Sequence, residues 1–423
     1  MVPPSTGRTT RVHRDPFFGW RVVWGAFVLA VFGWGLGFYG PPIYLHTLVE
    51  RNGWPVSLVS AAVTVHFLAG AVVVANLPAL YRRFGLPSIT KAGAIAAGLG
   101  VCGWAWAQVP WQLFAATLLS GAGWVAMSAA AINAIVSPWF DRQRPIALST
   151  AYNGASIGGI VFSPLWVVAI TYLGFGQAAI LVAIVTTVVV WWLADRLFSK
   201  TPAALGLHPD GIGSGEIVPR AAQPLAPQRQ ASALLWRDWR FLTLAAGMAL
   251  GLFAQIGLLA HLFSLLVPPL GSQLASLAVA TATAAAIAGR MLAGWLLTPG
   301  IDRRLVAAGN YGIQIAASLL MVLAAGESVP LLLLGVLLFG SGIGNATSLP
   351  PLIAQLEFNE ADVARAVALI VAIAQAGYAF APVVFGIIRD LSSGFGNANV
   401  PLLFVAAATI QAAAALCFLA GRR

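Results

Sequence analysis

The chain has 423 residues, 59% of them apolar and only 9% charged, with a mean hydropathy of +0.86. A soluble domain carries about 25% charged residues, so the composition excludes a soluble globular protein and leaves a polytopic membrane protein. The formal net charge of +10 does not mark a nucleic-acid binder, because Lys and Arg are scattered over short loops and form no single patch.

Hydrophobic runs bounded by Gly, Pro and charge predict twelve helical spans, at 19–45, 56–80, 88–107, 111–136, 145–171, 176–197, 240–267, 273–298, 305–325, 329–355, 363–388 and 398–420. This makes an all-α membrane protein. Residues 1–18 read as a basic tail with no cleavable leader pattern, 19–197 as one six-helix bundle and 240–423 as a second. Segments on the side of the N-terminus hold Arg8, Arg11, Arg14, Arg82, Arg83, Arg142, Arg144, Arg303, Arg422 and others, whereas the opposite side holds only Arg51 and Arg389. By the positive-inside rule both termini are expected in the cytoplasm. The alanine-rich style of the chain suggests a bacterial plasma membrane.

In the first span, Gly33-Trp34-Gly35-Leu36-Gly37 is not a nucleotide loop, because it lies inside an apolar run and follows no strand. Gly33 with Gly37, and Gly340 with Gly344 in the tenth span, fit close helix contacts of the small-xxx-small type. Cys102 and Cys417 sit in apolar segments, so neither a disulfide framework nor a metal site is expected. No cofactor is expected either. His66 lies in mid-span 2, and Arg82-Arg83 follow that span. Asp141, Arg142 and Arg144 between spans 4 and 5 read as a salt-bridged latch at the cytoplasmic end, with Arg82, Arg83, Asp302 and Arg303 at the same level. Tyr152 and Asn153 lie in span 5. Residues 198–239 connect the bundles, and the proline-rich stretch 198–236 is expected to have little fixed structure.

In the second bundle, Gln255 and His261 lie in span 7, Asn345 in span 10, and Gln375 and Tyr378 in span 11. Each has two readings: a substrate contact, or glue between helices at about 0.6 kcal/mol. His66 and His261 titrate in the physiological range and are the candidates for carrying a coupling proton. A neutral histidine bonded to a hydroxyl or carbonyl is the plainer reading. Asn310, Tyr311 and Gln314 in span 9 have no reading as site residues, and Arg389-Asp390 at the end of span 11 reads as interfacial.

Arg290 stands apart. It lies within the apolar run 273–298, which contains no acidic residue. A lone cation near mid-bilayer costs about 2.5–3.5 kcal/mol on insertion scales. Snorkelling is a poor explanation, since about eight residues, or about 12 Å, separate Arg290 from the end of the run. Capping of carbonyls at a helix break is another reading. An anionic substrate in a central cavity would offset the charge, and a guanidinium grips a carboxylate with two parallel hydrogen bonds.

The bundles are related at an offset near 219: Gly121-Ala122-Gly123 matches Gly340-Ser341-Gly342, and Gly289-Arg290 matches Gly70-Ala71. Parallel halves place a substrate near the midplane between them.

With these features in hand, the chain resembles the major facilitator superfamily, and within it the monocarboxylate-porter and oxalate:formate-antiporter branch. The likeness rests on Phe18-Gly19-Trp20-Arg21-Val22-Val23 with Gly33, Gly35, Gly37 and Tyr39; on Trp139-Phe140-Asp141-Arg142-Gln143-Arg144 leading to Ala147 and Gly154 to Gly159; and on Gly289-Arg290, Gly294-Trp295 and Asp302-Arg303. The resemblance implies the superfamily's twelve-helix fold, with spans 1, 2, 4, 5, 7, 8, 10 and 11 lining the cavity. It departs from the family at Arg82-Arg83, where Asp before Arg is usual. Span 11 also lacks the second cation of dicarboxylate antiporters, which favours one carboxylate per substrate.

The expected function is secondary active transport of small organic anions, monocarboxylates first, with Arg290 as anchor, Tyr378, Asn153, His261, Gln375, Asn345, Gln255 and Tyr152 as further contacts, and Phe38 and Tyr39 as an apolar wall. The partners are the anion, a co-transported proton and the lipid bilayer, with the chain a monomer that binds no nucleic acid. Two rivals stand: a drug exporter, which ordinarily needs a membrane-embedded acid that this chain lacks, and a non-transporting sensor on the same fold. No nucleophile–base or metal constellation suggests an enzyme.

Overall fold

The computed structural model describes residues 17–211, 235–297, 300–324, 328–393 and 399–422. In lipid every backbone polar group must be satisfied within the segment, so apolar runs of this length form helices. The helices are α1 (Phe18–Asn52), α2 (Val56–Phe84), α3 (Leu86–Trp106), α4 (Pro110–Trp139), α5 (Arg144–Leu173) and α6 (Phe175–Phe198). The second half has α7 (239–270), α8 (272–296), α9 (Arg303–Ala324), α10 (Val329–Glu357), α11 (Glu360–Tyr378, continuing as Ala381–Ser393) and α12 (Asn399–Ala420).

α7 and α8 run on as a single helical stretch from Trp239 to Leu296, interrupted at Gly271, where φ is 74° and ψ 162°. Only glycine adopts that backbone readily, and Pro268 and Pro269 just before it weaken the helix. α1 breaks at Phe38–Tyr39, before Pro41-Pro42, and α4 breaks between Val125 and Ala129. Several helices outrun the apolar runs. Arg51 therefore lies in the last turn of α1, and Arg82-Arg83 lie in the last turn of α2 instead of in a loop.

The small residues act as expected. A methyl at Gly33 would come 2.7 Å from the Met127 carbonyl oxygen, and one at Gly37 would strike the Trp124 ring, so α1 meets α4 backbone to backbone at Gly33 and backbone to side chain at Gly37. A methyl at Gly340 would lie 2.3 Å from the Ala282 carbonyl oxygen. The repeat is visible in packing too: Gly70 faces the Gly121 carbonyl oxygen at 3.3 Å from its would-be Cβ, and Gly289 faces that of Ser341 at 1.9 Å.

Part of the connecting segment is folded, contrary to the expectation of little fixed structure for 198–236. Residues 203–205 and 209–211 form short 3₁₀ turns, and Asp210 accepts bonds from the backbone N–H groups of Asp141, Arg142 and Gln143 at 3.1, 2.7 and 3.3 Å. Three converging N–H donors fix this stretch to the α4–α5 loop. Residues 212–234 lie outside the described residues.

The halves α1–α6 and α7–α12 meet at mid-depth and at the end opposite the termini. There Asp390 accepts from the N–H groups of Val56 and Ser57 at 3.1 and 2.7 Å, capping α2 across the interface. A methyl on Gly386 would strike Ser60, and the His46 ring lies edge-on to Phe263 at 5.2 Å. Arg389, beside it, donates to Ser264. The pair Arg389-Asp390 is thus not a plain interfacial marker but part of the closed end. At the terminal end, two ion pairs each lie within one half. Lys91 pairs with Asp195, and Arg304 of α9 is buried and forked onto Glu357 of α10 at 2.6 and 2.8 Å.

Candidate functional site

Arg290 is six residues before the end of α8 at Leu296, nearer the helix end than the apolar run suggested. Its head group nevertheless stays at mid-depth. A methyl on Gly344 would lie 2.9 Å from Nε and 3.0 Å from Nη2, so the guanidinium rests on the middle of α10. The residue is half-buried and its Nε has no hydrogen-bond partner. Among the described residues no carboxylate pairs with it. Snorkelling is excluded by where the head group lies.

The Tyr39 hydroxyl lies within electrostatic reach of Arg290 and within hydrogen-bond reach of Thr283. Tyr39 sits at the break in α1, and Thr283 precedes Arg290 by two helical turns, placing both on one face of α8. Both side chains close on Gly159 of α5, where a methyl would stand 2.6 Å from Tyr39 Cζ and 2.7 Å from Thr283 Cγ2. An aromatic chain leads away from this point. Phe38 meets Tyr39 at 5.1 Å, Phe67 meets Phe38 at 6.2 Å, and Tyr378 of α11 meets Phe67 edge-on at 6.2 Å. Arg290, Tyr39, Phe38, Phe67 and Tyr378 therefore form one chain of contacts across α1, α2, α8 and α11. Thr283 and Phe67 belong to it and escaped the sequence reading. The two-turn spacing from Thr283 to Arg290 was a usable signal, but nothing in the sequence singles out Phe67.

The other expected contacts are engaged elsewhere. Gln255 donates to the Ile343 carbonyl at 3.3 Å, one residue from the seat of Arg290. Asn345, buried, donates to the carbonyl of Gly289 and to Asn310. Tyr152 donates to the Ala129 carbonyl at 3.2 Å, tying α5 to the second segment of α4. Asn153 and Gln375 are half-buried on α5 and α11 and make none of the contacts that join Arg290 to Tyr378.

Both histidines are buried. His66 bridges three helices: Nε2 meets the Gly37 carbonyl at 2.9 Å, Nδ1 meets the Ser120 hydroxyl at 2.8 Å, and the ring stacks on Trp124. A carbonyl only accepts, so Nε2 carries the proton. His261 meets the Pro382 carbonyl at 3.1 Å through Nε2, joining α7 to α11, while its Nδ1 has no partner.

Among the described residues, Arg144, Arg303 and Asp302 of the expected cytoplasmic gate bond within their own halves. Arg144 bonds Asp141 at 3.2 Å and the Phe140 carbonyl at 3.0 Å, both in its own half, and Arg142 is exposed. Arg82 and Arg83 are exposed. Arg303 donates to the Leu352 carbonyl at 2.7 Å. Asp302 pairs with Arg422 at 2.6 Å. Burial opposes ionisation of Asp302, but the Arg422 guanidinium and the N–H groups of Arg304 and Leu305 outweigh it and hold its carboxyl below the usual value.

Two repeated helical halves, joined at one end and enclosing a half-buried cation at mid-depth, define a multi-pass membrane carrier. Residues 23–382 match the Major Facilitator Superfamily, and the chain belongs to that family, whose members are transporters and not enzymes. It is 27% identical over 311 residues to monocarboxylate transporter 11 of Mus musculus, covering 70% of this chain and 64% of that protein. The corresponding human protein is 27% identical, with 70% and 60% covered, so this chain spans less than two thirds of the length of both. The MFS transporter asaE of Aspergillus flavus is 26% identical, with 84% and 74% covered. Among solved structures, the nucleoside transporter NupG overlays with a TM-score of 0.72 at 15% identity, covering 96% of this chain and 98% of that one. A D-xylose-proton symporter overlays at 0.72 and 14% identity, covering 95% and 97%. Such identities establish the shared fold alone.

Proposed function

We propose that this protein is a secondary active transporter of small organic anions, monocarboxylates first, working by alternating access with Arg290 as the carboxylate anchor. The observation that carries the reading is the Arg290 guanidinium at mid-depth with an unbonded Nε and no carboxylate paired to it among the described residues. A bound carboxylate would offset the burial of that charge. The Tyr39 hydroxyl, beside Thr283, would supply a neutral hydrogen-bond donor next to it, and the rings of Phe38, Phe67 and Tyr378 would flank the organic part. The likeness to monocarboxylate transporter 11 agrees with this class. With both termini in the cytoplasm of a plasma membrane, the contacts at Asp390 would close the outer end and leave the anchor facing inward. A coupling proton would travel on the substrate acid or on His261, whose Nδ1 is unbonded.

The test is uptake of labelled lactate, pyruvate and acetate, with oxalate as control, into proteoliposomes with and without an inward proton gradient. Arg290→Ala is expected to reduce kcat/KM for a transported monoacid by about 10–100-fold, the worth of hydrogen bonds to a charged group. Arg290→Lys, which keeps the charge and loses the fork, is expected to fall between. Undiminished uptake by Arg290→Ala would remove the anchor.

A further inference from the structure

Behind Arg290 runs a chain of buried amides that crosses three helices. Asn310 of α9 donates from Nδ2 to the Gly342 carbonyl of α10 at 3.3 Å. Asn345 of α10 donates from Nδ2 to Asn310 Oδ1 at 3.0 Å and to the Gly289 carbonyl of α8 at 3.2 Å. The orientation of both amides follows from their partners. Turning Asn345 over would set its oxygen against two acceptors, and turning Asn310 over would set its oxygen against the Gly342 carbonyl. Asn310 and Asn345 are 6% and 5% exposed, so these bonds face little competition.

The amides close on the residue that precedes Arg290. At that point α8 and α10 touch through backbone: a methyl on Gly289 would lie 1.9 Å from the Ser341 carbonyl oxygen. One turn along, Gly344 lies under the guanidinium itself, and a methyl there would also stand 2.8 Å from the Ala286 carbonyl oxygen. Helix 10 thus offers a bare floor at Gly344 and, next to it, a side chain that grips the α8 backbone.

We infer that Asn345, braced by Asn310, is a positioning clamp for Arg290: it fixes α8 against α10 so that the guanidinium stays on Gly344, facing Tyr39. Asn345 acts through the Gly289 carbonyl, and its contribution to selectivity is the aim of the cation. The clamp also gives Asn310 a role at a distance from the cavity. This inference rests on the reading of Arg290 as the anion anchor. Helix glue with no bearing on Arg290 is the competing account, and it predicts that any break in the amide network acts alike.

The clamp is tested in intact protein with Asn345→Ala, Asn310→Ala and Ser318→Ala. The last loses a bond to Gln411 in the same buried polar seam without touching Asn310, Asn345 or α8. Two readouts are used. One is the rate of phenylglyoxal modification at Arg290, measured by mass spectrometry against exposed Arg83 in the same sample. The other is KM and kcat for labelled pyruvate in proteoliposomes. Both asparagine variants are expected to raise the Arg290 modification rate several-fold and KM about tenfold, with kcat within about threefold, as a displaced anchor predicts. Ser318→Ala is expected to match wild type in both. Wild-type modification rates and KM in the asparagine variants would overturn the clamp, and so would an equal change in Ser318→Ala. If Asn345→Ala does not fold, Asn310→Ala carries the same test, since it removes only the brace. If wild type takes up no monocarboxylate, the transport reading fails, and the modification rate still decides the clamp.

Discussion

At the residue scale, the hydrogen-bond partners of a buried histidine decide what it can do. His66 has both ring nitrogens engaged and a tryptophan stacked on it, so it holds α1, α2 and α4 together. His66→Ala would leave the Gly37 carbonyl buried without that donor and Ser120 without one of its partners. The expected loss is about 1–3 kcal/mol of stability, the usual penalty for an unsatisfied buried polar group. Thermal unfolding in detergent reads that loss directly. The pH profile of transport is expected to keep its wild-type shape, because both ring nitrogens of His66 are already bonded within the helix contacts. A flattened profile would return His66 to the coupling machinery.

At the scale of elements, periodicity and punctuation revealed most of the architecture. Among the described residues the twelve apolar runs fall on twelve helices once the stretch Trp239–Leu296 is divided at Gly271, and the duplicated Gly pairs became repeated backbone contacts, because close packing in lipid selects small residues wherever it occurs. Arg290 was legible for the same reason: an uncompensated charge in an apolar run is conspicuous. Asn310 and Gln314 were visible but unexplained, and Ser318, one turn further on, had no reading at all. Their spacing of four places them on one face of α9, and that face is buried against α10 and α12. Which neighbour a polar stripe meets depends on tertiary packing, and a single sequence does not carry that. Phe67 was hidden by its surroundings, as one more apolar residue in an apolar helix. Gly159 was visible only as a glycine. In the fold it is where α5 of one half meets Tyr39 and Thr283. Gly159→Ala puts a methyl 2.6–2.7 Å from both side chains, so both must move. Tyr39 and Thr283 lie beside Arg290, the proposed anchor, and the expected result is a KM for pyruvate about tenfold higher with the protein still folded. An unchanged KM would place Tyr39 and Thr283 outside the binding site.

For the whole molecule, the informative contacts are those that cross between halves. The sequence marked Arg389-Asp390 only as charge at a membrane surface, because nothing local says that a carboxylate near the end of α11 meets the start of α2, 333 residues away in the chain. Asp390 accepts from two N–H groups of α2 that have no partner inside their own helix, so it acts as an N-cap supplied from the opposite half. This bond exists only while that end is closed. Removing an N-cap acceptor costs about 0.5–2 kcal/mol. Here the loss falls on one conformation, so Asp390→Ala is expected to shift the balance between closed and open ends by about 2- to 30-fold. Ser60 reports the shift. It is fully buried in the closed end and packs against Gly386, so a cysteine in its place reacts with an impermeant maleimide only when the halves part. In proteoliposomes, Ser60→Cys is expected to label faster by that factor when combined with Asp390→Ala. Asp390→Asn, which keeps one acceptor oxygen without the charge, is expected to lie between. Equal labelling in all three backgrounds would mean that the apolar contacts at Gly386 and Phe263 hold the end shut by themselves.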